Sequence, residues 1–130
     1  MIVVDSSALV AVLLLESDGP ELAARIWNAE RAVMSVANLA EAVIVLRRQL
    51  GDDTSGEISE LAGAIGLEFE PVTLAQAWLA GEAYRRFGKG RYQAALNYGD
   101  CFAYALAKEL DLPLLYKGND FSRTDIRSVL

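Results

Sequence analysis

Four short apolar runs, separated by stretches of helix-forming residues, constrain this chain more than any other feature. Ile2-Val3-Val4 is stopped by Asp5-Ser6-Ser7 and followed by Ala8 to Leu15, the pattern of a buried strand feeding a helix. Ser17-Asp18-Gly19-Pro20 is a turn that opens a helix running to about Glu30, with Pro20 near its first position and Glu21 in its first turn. Ala32 to Ser35 reads as a second strand, Val36 to Leu50 as a long helix closed by Gly51-Asp52-Asp53, and Thr54 to Ile65 as another helix. Beyond Gly66 come a third strand, Leu67 to Glu70, and a helix from Leu74 to Phe87 opened by Pro71-Val72-Thr73. Gly88-Lys89-Gly90-Arg91 is a basic loop, Asn97 to Leu110 is helical, and Leu112 to Tyr116 is the fourth strand. Lys117 to Asp120 is a turn, and Asp125 to Leu130 is expected to form a last edge strand. Strands alternating with helices require a parallel sheet covered on both faces. The expected fold is therefore α/β, three layers with a central, mostly parallel sheet of four to five strands. With no internal repeat and no linker, residues 1–130 are expected to form a single domain.

Charge and composition narrow the chemistry. The chain has 130 residues, with 12 Lys plus Arg against 18 Asp plus Glu, a formal charge of -6, no histidine and one cysteine. Without an imidazole, Ser-His-Asp and Cys-His triads and histidine-ligated zinc are excluded, and one cysteine excludes a four-cysteine zinc site and any internal disulfide. At 53% hydrophobic and 23% charged residues the chain is able to build a conventional core. The acidic balance argues against a broad basic nucleic-acid surface, though not against a small basic patch or a metal held by carboxylates. No basic segment precedes the apolar start, and Ala8 to Leu15 is too short to span a bilayer, so a soluble, cytoplasmic protein is expected.

The most informative pattern is where charges are missing. From Met1 to Leu15 the only charged side chain is Asp5, from Ala32 to Leu46 the only one is Glu41, and from Tyr92 to Ala107 the only one is Asp100. Solvated helix faces mix signs at i,i+4 spacing, and these segments do not. Glu41 has Ala37, Ile44 and Val45 as its i-4, i+3 and i+4 neighbours, so it projects from an apolar surface. A buried, unpaired carboxylate costs several kcal/mol unless a cation or hydrogen bonds compensate it. Asp5 follows the first strand and Asp120 the fourth, which places both at the carboxyl edge of a parallel sheet, where open α/β sheets bind ligands. Asp100 and Glu41, near helix N-termini, point to the same edge. Four acids gathered there would repel one another, and the simplest compensation is a divalent cation, with oxygen-only ligands favouring Mg2+ or Mn2+.

Each residue also has a plainer explanation. Asp5 and Asp100 suit helix capping, Asp120 suits a turn after Gly118-Asn119, Glu41 has an ordinary surface role, and Asp125 reads as a solvated loop acid. Arg85, Arg86, Lys89 and Arg91, interleaved with Tyr84, Phe87 and Tyr92, form the one concentrated basic and aromatic patch. It suits phosphate contacts and base stacking, and equally a helix C-terminus matched to its dipole. Gly88-Lys89-Gly90 lacks dinucleotide-binding spacing, Cys101 reads as a small core residue, and Trp27 and Trp78 read as packing residues.

Taken in order, Ile-Val-Val-Asp-Ser-Ser-Ala-Leu-Val-Ala, Ser-Val-Ala-Asn-Leu-Ala-Glu, Leu-Asn-Tyr-Gly-Asp-Cys-Phe-Ala-Tyr-Ala-Leu-Ala and Pro-Leu-Leu-Tyr-Lys-Gly-Asn-Asp-Phe resemble the PIN-domain ribonucleases, and within them the VapC-type toxins of toxin-antitoxin pairs. The resemblance covers the whole chain. It implies an acidic quartet of Asp5, Glu41, Asp100 and Asp120, with Ser6 or Ser7 as a supporting hydroxyl and Asp125 close enough to contribute at the fourth position. It further implies Mg2+- or Mn2+-dependent endonucleolytic cleavage of RNA, a homodimer, and a VapB-like antitoxin that inserts a basic side chain into the acidic pocket.

Other readings compete. A receiver-type signalling domain is also small, acidic and α/β, with a lysine, here Lys117, but it needs an Asp at the end of a central strand where the third strand runs Glu70-Pro71-Val72. A haloacid-dehalogenase-type phosphatase needs a second Asp two residues after Asp5, where this chain has Ser7. A non-catalytic degenerate PIN domain that binds RNA or protein is the third.

Overall fold

The structure is a computed structural model that describes residues 1–90 and 95–130. Arg91 and Tyr92 of the basic patch lie outside the described residues. The elements in chain order are β1 (Ile2–Val4), α1 (Ser6–Leu13), α2 (Gly19–Asn28), β2 (Ala32–Ser35), α3 (Val36–Leu50), α4 (Ser55–Ile65), β3 (Leu67–Glu70), α5 (Leu74–Phe87), α6 (Tyr98–Leu110) and β4 (Leu114–Leu115).

The four strands form one sheet in the order β3-β2-β1-β4, and every pairing is parallel. Val3 is in register with Val33 on one side and Leu114 on the other, so β1 is central. Alternation along the strands divides the core in two. Ile2, Val4, Ala32 and Met34 pack with Leu9, Leu22, Ile26, Leu46 and Ile58 from α1 to α4. Val3, Val33 and Leu114 pack with Ala80, Ala83, Tyr104 and Leu106 from α5 and α6. The three-layer arrangement follows from that two-faced burial.

The order in which strands are added to the sheet reverses about β1. From β1 the chain passes through α1 and α2 to β2 and then β3 on one side; it returns through α5 and α6 to β4 on the other. The crevice at the carboxyl ends of β1 and β4 is thus the topological switch point, the place where open α/β sheets accept ligands.

Several boundaries differ from the sequence expectation for identifiable reasons. The first helix begins at Ser6 because the Asp5 side chain caps it, and the segment ends near Leu15, whose φ of 54° is left-handed. The last strand is short because Leu112 N–H still bonds back to the Ala107 carbonyl at the end of α6, while Pro113 has no N–H to give. The expected edge strand at Asp125 to Leu130 is reduced to a single bridge between Leu114 and Ser128, so the sheet has four strands among the described residues. Glycines at Gly51 and Gly66, with φ of 71° and 75°, close α3 and α4 as left-handed caps. Trp27 and Trp78 correct the packing expectation: they are 65% and 74% exposed, because α2 turns Leu22 and Ile26 inward and α5 turns Ala80 and Ala83 inward. Among the described residues, no helix is long and apolar enough to cross a membrane.

Candidate active site

Asp5 leaves β1 directly into the crevice. Its backbone N–H bonds to the Leu115 carbonyl at 2.9 Å, and its Oδ2 accepts from the Ser7 N–H at 3.0 Å, capping α1. Capping uses only one carboxylate oxygen. The other, Oδ1, is buried without a hydrogen-bond partner, in a residue only 2% exposed. Burial pushes the Asp5 carboxyl up to about 6; the Ser7 hydrogen bonds oppose the rise and repulsion from Glu41 adds to it.

Asp100 is also a capping residue and more. Asn97 and Asp100 form a reciprocal box at the start of α6: Asp100 N–H donates to Asn97 Oδ1 at 2.9 Å, and Asn97 N–H donates to Asp100 Oδ2 at 3.0 Å. Asp100 is 5% exposed, and burial pushes its carboxyl up to about 8, with Asp5 and Asp120 repelling it further against the pull of the Asn97 N–H. Two acids held this far above the ordinary range in one crevice mark a site that favours added positive charge.

Glu41, in the second turn of α3, is held through one oxygen. Its Oε1 accepts from Ser6 Oγ at 2.6 Å and from Asn38 Nδ2 at 3.2 Å. The same Asn38 nitrogen also donates to the Gly99 carbonyl at 2.9 Å, and a Cβ on Gly99 would collide with the Glu41 carboxylate. Asn38 and Asn97 were missed by sequence reasoning. Each is an asparagine three residues before an isolated acid, Glu41 or Asp100, and that repeated spacing was the available signal.

Asp120 stands in the exposed turn after β4, close enough to Asp100 to raise its carboxyl. The approach to that turn is anchored by a 3.0 Å bond from Lys117 N–H to Ser7 Oγ, while Lys117 Nζ pairs with Glu16 at 2.6 Å and Asp18 at 3.0 Å. Asp5, Glu41, Asp100 and Asp120, with Ser6 and Ser7, line one pocket of about 210 Å³. All four sequence-derived acids are therefore brought together. They line the pocket without closing on a common point: among the described residues, no three Asp, Glu or Cys side chains approach one another as a complete ligand set. The donor set is carboxylate and hydroxyl oxygen, which suits hard divalent cations, and Asp5 Oδ1 is a buried acceptor without a donor.

Asp125 is placed elsewhere. Its Oδ1 accepts from Tyr104 OH at 2.7 Å and its Oδ2 from Lys108 Nζ at 3.0 Å, with Arg86 at 3.9 Å. Partial burial raises its carboxyl, but these hydrogen bonds and cations outweigh it and hold Asp125 below the ordinary range. Of the basic patch, Arg85 is paired with Glu82 and Arg86 lies 4.6 Å over the Phe87 ring. Lys89 makes no ion pair with any described residue and lines an apolar cavity of about 580 Å³ with Tyr84 and Tyr98. That cavity and a second, of about 710 Å³ along α3 and α6, are larger than the acidic pocket and touch it at Asn97 and Glu41.

A family model of the PIN domain matches residues 2–127. The chain belongs to the PIN domain family. Curated PIN-domain relatives include a VapC ribonuclease of Mycobacterium bovis, Mb0640, 41% identical over 98% of this chain and 97% of its own length. A ribonuclease VapC of Mycolicibacterium smegmatis is 42% identical over 98% of each chain. Among solved structures, the Sarcin-Ricin loop cleaving toxin VapC20 of Mycobacterium tuberculosis superposes on this PIN domain with a TM-score of 0.78 at 18% identity, covering 99% of this chain and 98% of that one. VapBC2 of Rickettsia felis, solved with a DNA fragment from its promoter, aligns with a TM-score of 0.70 at 13% identity over 98% and 96%. At those identities the structural likeness concerns the fold. The receiver-type reading fails on topology as well, because β3 is an edge strand and its terminal Glu70 is paired with Arg31 at 2.7 Å.

Proposed function

We propose that this PIN domain is a cytoplasmic Mg2+- or Mn2+-dependent endoribonuclease, the toxin of a type II toxin-antitoxin pair. The observation that carries the reading is the buried, unpartnered Oδ1 of Asp5 in a pocket shared with Glu41, Asp100 and Asp120. The ribonuclease names of relatives 41–42% identical over nearly the full chain support it.

Asp5, Asp100, Glu41 and Asp120 would hold the ion or ions. Bound there, the metal would polarise the scissile phosphate, activate a water and stabilise the leaving oxygen, work that a chain with no histidine has no imidazole to do. The protein's part is to position. Asp5 and Asp100 are fixed by their capping bonds, and Ser6 and Asn38 orient Glu41. Lys89, which lines the neighbouring cavity, would supply a cation for an RNA phosphate.

Two partners belong to the reading. The acidic pocket is a receptor for a basic side chain of a VapB-like antitoxin, with Arg favoured by bidentate pairing; a toxin-antitoxin complex from Klebsiella pneumoniae shares the fold, with a TM-score of 0.69. The reading also includes a homodimer, for which the exposed Leu74, Trp78 and Tyr98 offer apolar side chains.

The deciding experiment is cleavage mapping on total RNA with Mg2+ or Mn2+ and in excess EDTA. Discrete cuts that vanish in EDTA are expected; cleavage undiminished by EDTA would remove the metal from the mechanism.

A further inference from the structure

Asn38 stands in the first turn of α3 with no exposed surface. Its amide nitrogen divides its hydrogens between Glu41 Oε1 at 3.2 Å and the Gly99 carbonyl at 2.9 Å. Both partners accept and neither donates, so the nitrogen and not the oxygen must face them, and the amide orientation is fixed by chemistry. The opposite end of the amide, Oδ1, is buried with no partner. An unsatisfied buried carbonyl is a cost that an apolar residue of similar size would avoid, so Asn38 is poorly explained by packing.

Its two bonds instead have a common geometric effect. Glu41 lies one turn further along α3, and Gly99 immediately precedes Asp100 on α6. Ser6 Oγ, from α1, adds its 2.6 Å bond to the same Oε1. Donors from two helices therefore meet on one oxygen of Glu41, and the amide that supplies one of them also grips the backbone that carries Asp100.

We propose that Asn38 is a positioning residue: by bonding Glu41 and the Gly99 carbonyl together, it sets the separation of the Glu41 and Asp100 carboxylates and thereby the affinity of the pocket for a divalent cation. The proposal rests on the metal-dependent reading above. Mutation of ligand-orienting partners of this kind typically costs about 10- to 100-fold in metal affinity.

The test is calorimetric titration of the full chain with Mn2+, read beside thermal unfolding in EDTA, for wild type, Asn38→Leu and Ser6→Ala. Asn38→Leu is close in volume and removes both hydrogen bonds together with the orphaned Oδ1. Its Mn2+ affinity is expected to fall roughly tenfold or more, while its melting temperature in EDTA stays level or rises. Ser6→Ala, which leaves the Gly99 bond intact, is expected to lose less. Wild-type affinity in Asn38→Leu would overturn the proposal, as would a loss of affinity accompanied by a lowered melting temperature in EDTA, which marks a structural role. A wild-type chain that binds no Mn2+ would overturn the metal-dependent reading itself, and this proposal with it. Should Asn38→Leu not fold, Asn38→Ser, too short to bridge both acceptors, takes its place with Mn2+ affinity as the deciding readout: a larger fall than in Ser6→Ala is expected, and wild-type affinity would overturn the proposal.

Discussion

Gly99 in α6 and Glu41 in α3 are pressed together so closely that a Cβ on Gly99 would fall on the Glu41 carboxylate. The obstructing atoms are the free end of a flexible side chain, so Gly99→Ala is expected to keep the fold and displace the carboxylate. Stability in EDTA should change by less than about 1 kcal/mol, since alanine is the better helix former, while Mn2+ affinity and RNA cleavage fall roughly tenfold. Circular dichroism melts and a Mn2+ titration check both halves; unchanged cleavage would separate Glu41 from the chemistry.

Asp5→Asn and Asp100→Asn preserve an oxygen for the capping bonds of Ser7 and Asn97 and remove the charge. Both variants are expected to fold with a wild-type far-ultraviolet spectrum and to lose Mg2+- or Mn2+-dependent RNA cleavage. Full activity in either would sink the mechanism.

Stability in EDTA should depend on pH in a defined direction. The Asp5 and Asp100 carboxyls are raised to about 6 and about 8 from an ordinary 3.8, chiefly by burial. The folded chain therefore holds these protons more tightly than the unfolded chain, so their contribution is fully present below the unfolded value and is lost as pH rises through the folded values. Melting temperature in EDTA is expected to drop between about pH 4 and about pH 8, by the equivalent of on the order of several kcal/mol. Added Mg2+ should recover more of the loss at the alkaline end than at the acid end. A flat profile in EDTA would show that both carboxyls ionise freely.

Asp120 and Asp125 are expected to separate cleanly. Asp125→Asn keeps an oxygen for the Tyr104 hydroxyl but loses the ion pair with Lys108, and should cost about 0.5–1 kcal/mol near neutral pH, a modest figure because the group is partly exposed to solvent. Its carboxyl is held below the ordinary range, so the wild-type advantage should fade as pH falls through that lowered value. Mn2+ affinity should be untouched. Asp120→Asn should do the reverse, weakening Mn2+ binding with little effect on melting, and reversal of this pattern would make Asp125 the fourth acid.

Within the basic patch, Lys89→Gln should weaken RNA binding more than Arg85→Gln, because Arg85 already has Glu82 as a partner whereas Lys89 makes no ion pair with any described residue. Replacing one phosphate-contacting cation should lower the slope of log affinity against log salt by about 1. Binding assays over a salt series read this directly; equal effects of the two substitutions would remove Lys89 from the RNA path.

The sequence by itself determined the α/β alternation, the location of every principal helix, and the isolation of Asp5, Glu41 and Asp100 in apolar surroundings. These are local properties: β-branching, turn residues and hydrophobic spacing act over a few positions, and a lone charge in an apolar run is visible without a fold. Asp5 and Asp100 suited capping and a charged site equally well in the sequence. In the structure each caps a helix and also lines the acidic pocket, because a carboxylate has two oxygens and the cap of Asp5 occupies only one.

What only tertiary structure decided were the partners. Strand order β3-β2-β1-β4 placed the switch point beside Asp5, and packing of α3 against α6 gave Asn38 its grip on Gly99. The folding of the tail against α5 and α6 took Asp125 to Tyr104 and Lys108, and the burial of small residues from α5 left Trp78 outside. Each outcome depends on contacts between segments distant in the chain. A residue's own neighbours report whether it suits a buried or polar setting, but its hydrogen-bond partner is fixed only when separate elements are packed at a particular register and distance.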